Sequence, residues 1–129
     1  MTFDQLTHVL RRVLAWLFWP ALAVVVWGEL TPSPPHEVQL IWDKALHFTS
    51  YFGLALLATL VTRASRKAIW AVLALVAFGG VLEFVQGLIG RDAEIMDEVA
   101  NIIGAVSGGL LGWVLVIIHD RVVGPSSQD

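Results

Sequence analysis

The stretch A-I-W-A-V-L-A-L-V-A-F-G-G-V-L-E-F-V-Q-G-L-I, Ala68 to Ile89, decides the fold, because its only ionisable side chain is Glu83. At ~1.5 Å of rise per residue it crosses a hydrocarbon core of ~30 Å. Segments 13–30, 45–62 and 99–119 are nearly as apolar and also reach across, the two shortest only just. The 129-residue chain is 57% hydrophobic and 15% charged, against roughly 25% charged in soluble domains. The expected fold is therefore all-α, a polytopic membrane protein built as a four-transmembrane-helix bundle. The transmembrane domain covers 13–119, with an interfacial helix at 1–12 before it and a disordered tail at 120–129 after it.

Composition closes off several function classes. Cysteine is absent, which excludes disulfides, thiolate metal sites and cysteine nucleophiles. A net charge of −3 with 8 basic residues lacks the clustered Lys and Arg of a nucleic-acid footprint, so no nucleic-acid partner is expected. The lipid bilayer is the expected surrounding. Arg11 and Arg12 before an apolar run mimic a signal peptide, but no small-x-small cleavage site follows Val26 and Trp27, so a retained first helix is expected.

Basic residues set the orientation. Arg11, Arg12, Arg63, Arg66, Lys67 and Arg121 fall on one side of the four spans, and Lys44 and Arg91 on the other, which predicts both termini inside. Among acidic residues only Asp4, Asp120 and Asp129 share the inner side.

Thr2 and Gln5 have capping-box spacing, and Phe3, Leu6, Val9 and Leu10 recur at helical spacing before the arginine pair. Pro20 is expected to kink the first span, which otherwise offers little to chemistry. The run Thr31 to His36 holds three prolines and breaks the helix, and Val38 to Trp42 is expected to dip into the interface. The connection Arg63 to Lys67 is so short that its flanking helices must be antiparallel neighbours. The third connection, Gly90 to Glu98, carries Arg91, Asp92, Glu94, Asp97 and Glu98. On the last span Gly104, Gly108 and Gly112 recur every four residues, with Ala105 and Gly109 beside them. Small residues let helix backbones approach closely in lipid; this face is expected to pack within the bundle, with homodimerisation as the alternative use.

Three apolar stretches carry polar side chains just inside the same end: Asp43, Lys44, His47 and Tyr51; Glu83 and Gln86; Arg91, Asp97 and Asn101. Counting inward places His47 roughly 5 Å deep, Gln86 roughly 6 Å, and Tyr51 and Glu83 roughly 10 Å. Asn101 falls near the level of His47 with Asp97 above it, so the three sets converge. Charge at membrane depth is expensive and is usually kept for function. Competing readings exist: Asp43, Asp97 and Asn101 as helix caps, Lys44 snorkelling, Arg91 anchored to lipid phosphate. Glu83 is the hardest to explain without function, since a carboxylate that deep costs several kcal/mol unless protonated or paired.

Taken in order, D-K-A-L-H-F-T-S-Y (Asp43 to Tyr51), E-F-V-Q (Glu83 to Gln86) and R-D-A-E-I-M-D-E-V-A-N-I-I-G (Arg91 to Gly104) resemble the VanZ-like family. These are small bacterial integral membrane proteins named after an accessory teicoplanin-resistance protein. The resemblance runs from about Ile41 to Gly112. It implies a cell-envelope protein of the bacterial cytoplasmic membrane and, in some members, lowered glycopeptide susceptibility. By the same resemblance the residues carried over are Asp43, Lys44, His47, Tyr51, Glu83, Gln86, Arg91, Asp97, Asn101 and Gly104.

Acid, base and cation together at one end suggest an outer-leaflet enzyme acting on an anionic lipid or a lipid-linked cell-wall precursor. His47, oriented by Asp43, is the expected acid or base, and Glu83 its partner. Lys44 and Arg91 are expected to hold the anionic headgroup. Tyr51, Gln86 and Asn101 are expected to orient the reacting groups, with Asp97 beside them. No cofactor is called for: Asp43, His47, Glu83 and Asp97 offer mixed nitrogen and oxygen metal ligands, but no tight motif such as H-E-x-x-H occurs. The alternative is a non-catalytic module binding a lipid or partner protein, its polar residues holding the helices together.

Overall fold

The computed structural model describes residues 3–31, 40–90 and 93–123. Arg91, the proline-rich segment 32–36 and residues 124–129 lie outside them, as does Thr2; of the disordered tail expected at 120–129, residues 120–123 are instead helical, continuing the last helix. Four helices account for nearly all of it: α1 (Phe3–Leu30), α2 (Leu40–Val61), α3 (Arg66–Leu88) and α4 (Ile95–Val123). Each is long and apolar enough to cross a membrane, so the chain is all-α with four candidate membrane-spanning helices. Large apolar side chains cover the outside, among them Trp16, Trp27, Trp42, Trp70 and Phe84. In water such a surface would be untenable, whereas in lipid it is the ordinary exterior.

The helices run past the apolar stretches that announce them. α2 begins at Leu40 and α4 at Ile95, each about a turn before the sequence becomes continuously apolar, because intrahelical hydrogen bonding continues into the headgroup region. Asp43, Asp97 and Asn101 therefore sit inside helices and do not cap them. In α1, residues 3–12 run into the span as one helix, and Pro20 lies inside it.

The α2–α3 turn shows how local chemistry stops a helix. Arg63 and Ala64 adopt φ of +52°, and the Ala64 amide donates to the Thr59 carbonyl at 3.0 Å, satisfying an end carbonyl that would otherwise be orphaned. Ser65 then caps α3 by accepting from the Lys67 amide at 3.3 Å. At this end Arg63 is ion-paired with Asp120, to which His119 Nδ1 also lies at 3.1 Å.

α2 is the central helix, touching the other three, and its tightest partner is α4. Gly104 and Gly108 explain the closeness: a Cβ on Gly104 would collide with the Phe48 carbonyl, and one on Gly108 with that of Phe52. A Cβ on Gly112 would stand 2.7 Å from Thr59 Cβ. The glycine stripe is thus occupied by α2 of the same chain. Tyr51, Leu54, Ala55, Leu75 and Ala105 fill the core between α2, α3 and α4, and α1 adds Phe18, Leu22 and Val25.

Gly108→Ala forces two backbones apart and is expected to cost ~1–3 kcal/mol, the range for overpacking. Gly53→Ala, where nothing lies within 4 Å of the added atom, is expected to leave stability unchanged or slightly raised. Thermal unfolding of both variants in detergent checks the contrast.

Candidate functional site

Helical spacing puts Asp43, His47 and Tyr51 on one stripe of α2. The stripe faces inward: His47 is 4% exposed and Tyr51 wholly buried. α4 answers it with Asp97, 3% exposed, and Asn101, wholly buried. The close α2–α4 approach set by the glycines brings these two rows into contact.

Hydrogen-bond logic fixes the arrangement around His47. Asn101 Nδ2 donates to Glu98 Oε2 at 3.2 Å; a carboxylate accepts only, so the amide is turned with Oδ1 toward His47. That oxygen lies 3.0 Å from His47 Nδ1 and is also acceptor-only, so Nδ1 carries the proton and donates. In the neutral form of the ring the lone pair is then on Nε2. Nε2 looks toward Asp43, whose Oδ1 is 3.9 Å away. Asp43 was expected to orient the imidazole; Asn101 makes the orienting contact, backed by Glu29 Oε1 at 3.6 Å from Nδ1.

Lys44 stands at the rim, about a third exposed, with Nζ 2.6 Å from Glu94 Oε2 and 3.4 Å from Asp97 Oδ1. An ammonium has three donors; Glu94 accepts one, Asp97 pairs with it by charge at 3.4 Å, and a third direction stays open. Glu83, half-buried on α3, lies in the electrostatic field of His47, Asp97 and Glu98, and neither of its oxygens has a hydrogen-bond partner among the described residues. The Tyr51 hydroxyl lies in the field of Glu29, Glu98 and Glu83.

Gln86, expected to orient the reacting groups, bonds to backbone instead. Its amide is buried and donates to the Glu29 carbonyl at 2.8 Å, pinning the end of α1 onto α3. Of the candidate residues, Asp43, Lys44, His47, Tyr51, Glu83, Gln86, Asp97 and Asn101 gather at one end of the bundle, Gly104, Gly108 and Gly112 hold it together, and Arg91 is outside the described residues.

Four contributors escaped the sequence reading. Glu29 comes from the helix judged poorest for chemistry; its signal is a lone carboxylate in the last turn of an apolar span. Glu94 and Glu98 looked like loop charges. Gly79 gives the cluster room on α3, since a Cβ there would lie 2.8 Å from Glu98 Oε2, 2.9 Å from Asn101 Nδ2 and 3.2 Å from the Tyr51 ring. A glycine in an apolar helix gives no chemical signal.

A cleft of about 240 Å³ leads in from the side, between α1 and α2. Val24, Val25, Trp27 and Leu46 form its apolar walls, and Glu29, Asp43, His47 and Ser50 its polar end. Greasy walls ending at an imidazole with a directed lone pair suit an amphiphile whose polar group must be brought to a base.

No protein-family model, curated protein or solved structure matches this chain. The site's reading therefore rests on its geometry.

Gln86→Leu removes the donor that pins α1 and is expected to cost ~1–3 kcal/mol through loss of that buried hydrogen bond. Cysteine pairs across α1 and α3, which this cysteine-free chain permits on a clean background, should crosslink more slowly in that variant.

Proposed function

We propose that this chain is a VanZ-like integral membrane protein of the bacterial cell envelope, with the polar end of its bundle facing the outer leaflet and acting as an acid/base enzyme on an amphiphilic, anionic substrate. The observation that carries the reading is the α1–α2 cleft, apolar along its walls and closed by His47, Asp43 and Glu29. A lipid tail lies along Val24, Val25 and Leu46 while its headgroup meets His47. The arginine and lysine distribution supports the outward orientation.

In this scheme Nε2 of His47 takes or returns the proton, because Asn101 holds Nδ1. Glu83 is the second acid/base group, and Tyr51 shares its surroundings. The third donor of Lys44 receives a phosphate or carboxylate oxygen of the headgroup, with Arg91 as the second cation. A lipid-linked phosphate or a peptidoglycan precursor has the required chemistry, consistent with the teicoplanin resistance attached to the family name.

His47→Ala and Glu83→Gln, each checked for expression and folding, are expected to lower turnover by about 10²- to 10⁴-fold, the usual contribution of general acid–base catalysis. Mass spectrometry of envelope lipids and precursors, with glycopeptide susceptibility beside it, supplies the readout. Unchanged profiles in both variants would remove the catalytic reading.

A second reading has its own observation: Asn101 and Gln86 are buried and bond across helices. Here the polar set holds one bundle geometry and the cleft only binds. Loss of function in Asn101→Ala that a stabilised background restores supports binding over catalysis.

A further inference from the structure

We infer that Asp43, His47 and Asp97 form a binding site for one divalent transition-metal ion of the zinc or manganese class. One imidazole nitrogen and one oxygen from each carboxylate lie within 4.8 Å of one another. A tetrahedral ion at ~2.0–2.2 Å from nitrogen and oxygen ligands needs them about 3.4 Å apart. Asp43, the most exposed of the three, already has Oδ1 3.9 Å from Nε2.

Proximity of acids alone would not identify a ligand, but the imidazole does. His47 is only 4% exposed, and its Nδ1 proton is committed to Asn101. Nε2 faces Asp43 Oδ1, 3.9 Å away, and makes no hydrogen bond among the described residues. A bare nitrogen facing a carboxylate is repulsive unless something positive, a second ring proton or a metal ion, lies between them. Buried ligating histidines characteristically donate the other ring N–H to a carboxylate or carbonyl. Here Asn101 Oδ1 and Glu29 Oε1 stand on that side, at 3.0 and 3.6 Å. Asp97 Oδ1 adds a second buried ligand atom without a hydrogen bond among the described residues.

The ligand types narrow the ion. Calcium and magnesium favour all-oxygen sites, whereas one imidazole with two carboxylates suits zinc or manganese. Lys44 is the resident competitor, 3.4 Å from Asp97 Oδ1 but closer to Glu94, at 2.6 Å. When the ion binds, the ammonium stays with Glu94. The fourth position opens toward the α1–α2 cleft, where water or an anionic headgroup oxygen completes the shell.

This inference deepens the proposed function and rests on its choice of Nε2 as the working nitrogen, but it changes the occupant from a proton to a cation. His47 Nε2 would then hold the ion together with Asp43 and Asp97.

The test is calorimetric titration of ZnCl2 and MnCl2 into detergent-purified, chelator-stripped protein with no lipid substrate present, with bound metal counted by elemental analysis. One equivalent is expected, with at least tenfold weaker binding in His47→Ala and Asp97→Asn. Asn101→Ala is expected to weaken binding by about 10- to 100-fold, the usual effect of losing an outer-shell partner. Lys44→Met should tighten it severalfold by removing the competing charge, a gain that damaged folding cannot imitate. Should His47→Ala not fold, the rise in melting temperature on adding zinc is compared between wild type and Lys44→Met; no rise in either overturns the site. No bound equivalent in the wild type, or undiminished binding in folded His47→Ala and Asp97→Asn, which would place the metal on other histidines, also overturns it. The two ideas fail separately: one bound equivalent with unchanged envelope lipids in His47→Ala sinks the enzyme and keeps the ion. No binding with altered envelope lipids does the reverse.

Discussion

The close contact of α4 with α2 is the constraint on which the rest of this structure depends. Inside a bilayer there is no hydrophobic gain from pairing two apolar helices, so association rests on close packing and on hydrogen bonds. Gly104 and Gly108 permit the first by letting the α2 backbone at Phe48 and Phe52 lie directly on α4. The second follows from it: with the backbones that close, short side chains meet across the interface, and Asn101 reaches His47 at 3.0 Å. A wider spacing would need longer side chains, and the site would lose the rigidity that lets one amide select a tautomer. Packing at the middle of the helices and chemistry at their end are thus one arrangement.

Electrostatics separates the two ends of the bundle. At the α2–α3 turn, Arg63 and His119 face one carboxylate, Asp120, and the charges largely balance. At the other end Glu29, Asp43, Glu83, Glu94, Asp97 and Glu98 surround His47 with Lys44 as the one described ammonium. Like charges ~4 Å apart repel by about 4 kcal/mol at an effective dielectric near 20. A network serving adhesion alone is better built with matched signs, as the opposite end demonstrates. An uneven set of charges at the end of apolar helices is costly to keep there.

The helix count and class were legible because a span is a property of composition and length, and twenty apolar residues leave few alternatives. The α2 stripe was legible for a similar reason: Asp43, His47 and Tyr51 recur at helical spacing, so one face declares itself. Helix ends were less so, since hydropathy marks where lipid stops while hydrogen bonding carries α2 back to Leu40 and α4 to Ile95. Contributions that depend on a partner were hidden. The roles of Glu29 and Gln86 require knowing that α1 and α3 touch there, and Gln86 bonds to a backbone carbonyl, which no residue code reveals. Gly79 matters for the atoms it lacks.

Asn101 shows why a buried amide does more at this position than an apolar residue of similar size. Its two ends differ in kind, one donor and one acceptor, and Glu98 takes the donor. The acceptor is thereby forced onto His47, and the proton of the imidazole is fixed on the side facing α4. A threonine hydroxyl could rotate and serve either tautomer, and an aspartate would favour the doubly protonated ring. Only a group with fixed, opposite ends transmits the identity of Glu98 through to the lone pair at Nε2. The nitrogen left over, Nε2, faces Asp43 Oδ1 at 3.9 Å, beside the cleft between α1 and α2.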